Sequence, residues 1–114
     1  MATTISGTLS SFVAGETKTF SMILKIDGSA VDITNDTVTF YLLAGKDADL
    51  SAATLTKDAD VATYGANGRA VFTLSKTDTG ALTPGVYYWQ VVWDRASGER
   101  EIFPDQREDI YVYL

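Results

Sequence analysis

The chain has 114 residues, 46% hydrophobic and 21% charged, enough for one buried core in one domain spanning 1–114. It contains no Cys and no His, which excludes disulfides, thiol chemistry, the common zinc sites and every Ser-His-Asp or Cys-His nucleophile. A net charge of −6 argues against a nucleic-acid backbone or an anionic membrane as partner, because both reward Lys and Arg.

The opening MATTISGTLSSFV has no basic n-region and no continuous apolar stretch, so no secretory signal is expected. No apolar run reaches the length of about 18 residues that a membrane span needs. An early strand is predicted within residues 3–10. In TKTFSMILKI, Phe20, Met22, Leu24 and Ile26 alternate with Thr19, Ser21 and Lys25, with Ile23 the exception. Such period-two alternation predicts a strand with one buried face. DGS at residues 27–29 predicts a hairpin turn, and a short extended piece is expected at 31–34. Val38, Phe40 and Leu42 alternate with Thr37, Thr39 and Tyr41 in the next strand. AGKDADLSAATL reads as a loop or one helical turn, followed by a less regular strand within 53–62. ANG at 66–68 predicts another hairpin-type turn before GRAVFTLS, where Ala70, Phe72 and Leu74 point one way. SKTDTGAL reads as a short helical corner.

The segment from 79 to 98, TGALTPGVYYWQVVWDRASG, holds most of the aromatic weight. Pro84 and Gly85 make a corner directly before a strand. Tyr87, Trp89, Val91 and Trp93 share one strand face, expected to point inward; Tyr88 lies on the other. Tyr87 at the start of a late strand suits a corner latch, its hydroxyl bonding backbone slightly upstream. Ser97-Gly98 predicts a further turn. At the end, Ile110, Val112 and Leu114 alternate with Tyr111 and Tyr113, so the two tyrosines are expected outside. Pro104 cannot donate to a ladder, so a bulge or edge is expected near 103–106. About seven short strands with turns between them predict an all-β, immunoglobulin-like antiparallel β-sandwich.

VDITNDTVTFYL, then GANGRAVFTLSKTDTGALTPGVYYWQVVW, then a Ser-Gly turn and a terminal strand, resemble the immunoglobulin-like domains of bacteriophage tail and baseplate proteins. The nearest type is the N-terminal domain of baseplate upper proteins. The matching residues are Gly68, Phe72 and Leu74, then the 77–79 corner, then Leu82, Pro84, Gly85, Tyr87 and Trp89. The likeness runs from about Gly15 onward. REIFPDQREDIYVYL departs from it, being longer and more charged than the plain final strand of that family. The resemblance implies a virion protein, of tail, baseplate or head decoration, that docks with other virion proteins and forms homo-oligomers.

The remaining motifs point to little chemistry. Asp47, Asp49 and Asp58 have an EF-hand-like spacing, but Ala52 stands where the loop needs Gly and Asp58 where it needs Glu, so a solvated loop is expected. Glu99, Arg100 and Glu101 read as edge charges that discourage aggregation. NDT at 35–37 reads as a turn. No catalytic residue, cofactor or metal ligand is expected. The candidate interface is Tyr88, Trp93, Arg95, Tyr111 and Tyr113, with Pro84, Gly85, Tyr87 and Trp89 structural. The alternative function is a carbohydrate-binding or adhesin-like sandwich that recognises a bacterial surface glycan through exposed planar aromatics.

Overall fold

The computed structural model describes residues 3–114, with Asp105 described by its backbone alone. Seven strands of four or more residues carry the architecture: β1 (Thr3–Ser6), β3 (Lys18–Ile26), β5 (Thr37–Leu43), β6 (Leu55–Asp58), β7 (Arg69–Leu74), β8 (Gly85–Asp94) and β9 (Arg100–Tyr113). Two two-residue strands, β2 (Phe12–Val13) and β4 (Ser29–Ala30), one helical turn, α1 (Lys76–Gly80), and two 3₁₀ turns, Leu50–Ala52 and Gly65–Asn67, complete it among the described residues. One sheet is built on β3, which pairs with β1, β4 and β7. The other runs β2-β9-β8-β5-β6. Packed together, they form an immunoglobulin-like β-sandwich.

The alternation sets the inner faces. Phe20, Met22 and Leu24 of β3 and Ala70, Phe72 and Leu74 of β7 are buried, as are Val38, Phe40 and Leu42 of β5. Tyr87, Trp89, Val91 and Trp93 of β8 are buried beside those of β5 and across from those of β3 and β7. The sheets lock through aromatic contacts: Phe20 stacks on its cross-strand partner Phe72 at 5.0 Å and meets Phe40 of the other sheet edge-on at 5.1 Å. Phe40 in turn lies 6.4 Å from Trp89. Ring pairs of this kind contribute about 0.5–1.5 kcal/mol each beyond their buried area.

Three turns behave differently from one another. Asp27 and Gly28 both have positive φ, 52° and 81°, and join β3 to β4 in the two-residue hairpin that DGS predicts. The Ser97-Gly98 turn closes the β8–β9 hairpin, with Arg95 N–H donating to the Glu99 carbonyl at 2.8 Å. ANG does not make a hairpin. Residues 65–67 form a 3₁₀ turn between strands of different sheets, since β6 pairs with β5 and β7 with β3. The extended piece expected at 31–34 is also absent. The two-residue strand falls at 29–30 instead, and Ile33 is buried from a loop whose N–H donates to the Gly65 carbonyl at 2.9 Å.

The sandwich is not wholly antiparallel. β2 runs parallel to β9, with Phe12 opposite Val112 and Val13 opposite Tyr113. The cause lies in the first strand, which belongs to the other sheet: the chain crosses over between β1 and β2 and enters beside β9 in the same direction.

Before β8 the chain turns a tight corner. Ser75 caps α1 in a reciprocal box: its Oγ accepts from Asp78 N–H at 3.1 Å, while Asp78 Oδ2 accepts from Ser75 N–H at 2.9 Å. Lys57 Nζ sits 2.9 Å from the same carboxylate. Buried Thr79 donates from Oγ1 to the Glu16 carbonyl and accepts from Gly15 N–H, tying the corner to the turn after β2. The Tyr87 hydroxyl donates to the Thr83 carbonyl at 2.6 Å across exposed Pro84 and Gly85.

Two stability tests follow from these contacts. Gly68 has φ 75°, and a Cβ there would stand 2.6 Å from the Leu24 carbonyl oxygen. Gly68→Ala is expected to lower unfolding stability by about 1–3 kcal/mol, read from the urea midpoint. The hydrogen bonds from Lys57 and Ser75 hold the Asp78 carboxyl below its ordinary value of 3.8. That contribution is complete above the unfolded value and is lost as pH falls through the lower folded one. Asp78→Asn should therefore flatten the acid limb of stability below about pH 4 in thermal melts at a series of pH values.

Candidate functional site: the outer face of the five-stranded sheet

The site residues lie on the solvent side of the sheet that contains β8. Register sets their order along it. Val13 pairs with Tyr113, Val86 with Tyr111, and Tyr88 with Asp109; beyond a break, Val92 pairs with Ile102 and Asp94 with Arg100. The face thus runs from an apolar, aromatic end, through a polar middle, to the Arg100–Asp94 ion pair at 2.7 Å.

The polar middle is made by a bulge. Trp89 faces Glu108 and Val91 faces Phe103, so the four residues 104–107 oppose Gln90 alone. This is the interruption that Pro104 predicts. Gln90 is 8% exposed, and a buried carboxamide needs partners on both sides. The bulge supplies them: Gln90 Nε2 donates to the Pro104 carbonyl at 3.0 Å, and its Oε1 accepts from Arg107 Nε at 3.0 Å. Arg107 then crosses β8 to the loop after β5, where its Nη1 donates to the Lys46 carbonyl at 2.9 Å and reaches the Gly45 carbonyl at 3.4 Å. Beside these contacts lies an open cleft of about 420 Å³, lined by Lys46, Asp47, Gln90, Gln106 and Arg107.

At the aromatic end, Val13, Val86, Tyr111 and Tyr113 are 44–54% exposed. The Tyr111 and Tyr113 rings lie nearly parallel, 19° apart in plane, with centroids 6.2 Å apart. Tyr88 continues the row half-buried.

Trp93 does not belong to this surface. It is fully buried, and its Nε1 donates to Asp36 Oδ2 at 2.8 Å. Its inward position in the alternation holds to the strand end, where the loop before β5 and the β8–β9 turn close over it, so it leaves the candidate interface: Asp36 Oδ1 also accepts from Ala96 N–H. Arg95 is part of that closure, with its guanidinium 5.4 Å from the centre of the Trp93 ring and 3.3 Å from Glu99, leaving its side chain 15% exposed. It covers the core rather than reaching out to a partner. Asp58 is likewise engaged within the sheet, accepting from its cross-strand neighbour Thr39 at 3.0 Å.

Sequence reasoning missed the cleft. The signal available was Pro104 followed three residues later by Arg107, opposite the one polar residue in the middle of β8; what could not be read was that the loop after β5 returns to meet them.

No family model matches the chain, and no curated protein matches it. Among solved structures, murine CRIg is similar to it, at 14% identity over 99% of this chain and 98% of that chain, with a TM-score of 0.45.

Trp93→Phe keeps a ring in the core but strands the Asp36 oxygen. The variant should lose about 1.5–3 kcal/mol in chemical unfolding, as expected for a hydrogen bond to a charged group, and should leave self-association unchanged.

Proposed function

We propose that this protein is a non-enzymatic assembly module of a phage or prophage virion, which docks with a second copy of itself and with neighbouring virion proteins. The single observation that carries the docking reading is the contiguous exposed patch of Val13, Val86, Tyr111 and Tyr113 on one sheet face. Tyrosines are enriched in interfaces because a large apolar ring ends in a hydroxyl and loses little rotamer freedom. An exposed apolar group of this kind, set on rigid strands, offers a partner area without first having to be ordered. The virion context is supported by the likeness of residues 31–42 and 65–93 to tail and baseplate domains.

The alternative of a bacterial-surface glycan held on a row of exposed aromatics has less support along this row, because Trp93 is buried.

The test is multi-angle light scattering of the wild-type chain beside a Tyr111→Ser/Tyr113→Ser variant, with circular dichroism as a check of fold. The wild type is expected to form a defined oligomer that the variant loses while remaining folded. A monomeric wild type at high concentration that also captures no virion protein would overturn the proposal.

A further inference from the structure

We infer that the cleft at the β9 bulge is a binding site for a singly charged acidic sugar, a carboxylate carried on a polyhydroxylated ring. The inference rests on the middle of the sheet face and not on the tyrosine end, so it stands or falls apart from the docking proposal.

The cleft is built rather than incidental. Its floor is Gln90, buried and bonded at both ends of its amide. Its wall is Arg107, whose Nε and Nη1 are fixed by one side-chain and two backbone oxygens. Those anchors hold the guanidinium in place and leave Nη2 with no partner among the described residues. Lys46 is exposed on the rim, and among the described residues its ammonium has no hydrogen-bond or ion-pair partner. A fixed Arg beside a free Lys is a receptor for an anion, with the ordering cost of the Arg already met.

The other lining groups narrow the class. Asp47 faces the same space, so among the described residues the lining carries two cations and one carboxylate, an excess of one positive charge. That excess suits a monoanion better than a dianionic phosphate, and the net charge of −6 on the whole chain further disfavours polyanions. Asp47 accepts hydrogen bonds, and exposed Gln106 both accepts and donates them. A ring carrying several hydroxyls meets all of these groups, whereas a bare carboxylate meets only the cations. The volume of about 420 Å³ admits a single sugar ring.

The probe is glucuronate, titrated into the isotopically labelled full chain and followed by amide chemical shifts, with glucose and acetate as parallel arms. Glucuronate should produce saturable shifts at residues 45–47, 90 and 106–107, with a dissociation constant on the order of 1 mM for a ligand of this size. Glucose, lacking the charge, and acetate, lacking the hydroxyls, should bind at least several-fold more weakly. Lys46→Gln, at an exposed loop position, should weaken glucuronate about two- to fivefold without altering the fold. Tyr111→Ser/Tyr113→Ser should leave the titration unchanged. Absence of saturation by glucuronate, equal binding of acetate or glucose, or indifference to Lys46→Gln would each overturn the assignment.

Discussion

The carboxamide of Gln90 governs much of this structure. It sits in the middle of a strand whose neighbours on both faces are dry: Trp89 and Val91 point into the core, and Val92 on the outer side is also buried. Little of it is open to water, and protein supplies its partners. The four-residue bulge of β9 supplies both a donor and an acceptor at that point, and Arg107 reaches from it across the outer face to the loop after β5. Pro104 and this one buried polar side chain thus meet where the last strand breaks, a cationic group is placed and a loop is drawn in.

The two halves of the sandwich meet under this arrangement. Phe20, Phe72, Phe40 and Trp89 form a chain of ring contacts between the sheets, and Phe103, the last residue before the bulge, extends it to β9 with its centroid 6.1 Å from Trp89. The bulge is thus braced from both sides, by aromatic packing within and by the Gln90–Arg107 bonds outside. The outer face inherits that rigidity. Its apolar end and its cleft lie on the same strands but differ in chemistry, which lets them be tested separately.

Alternation made the inner faces legible, from Phe20 through Leu24, Ala70 through Leu74 and Tyr87 through Trp93. Tyr111 and Tyr113 could be placed outside by the same rule. The outward residues of β5 and β8 could not be read so simply. Leu43 and Val92 are buried although they lie on the solvent side. Burial at such positions is decided by what a distant loop covers, and period two contains no information about that. The parallel pairing of β2 escaped for a related reason: a two-residue strand has no pattern of its own, and its direction follows from which sheet β1 joins. ANG carried good hairpin chemistry but connects strands in different sheets, because turn residues specify local backbone and not partners.

The parallel β2–β9 pair also has a mechanical meaning. A pull applied to the chain before β2 and to the chain after β9 draws the two strands past each other along their length. The bonds joining this region, Ala14 N–H to the Tyr113 carbonyl at 2.8 Å and Tyr111 N–H to Ser11 Oγ at 3.1 Å, lie across that direction. They are loaded together in shear, whereas a hairpin pulled from its open end yields one rung at a time. A domain held by its two ends would resist extension at this seam, and the aromatic end of the outer face lies on the strands that bear the load.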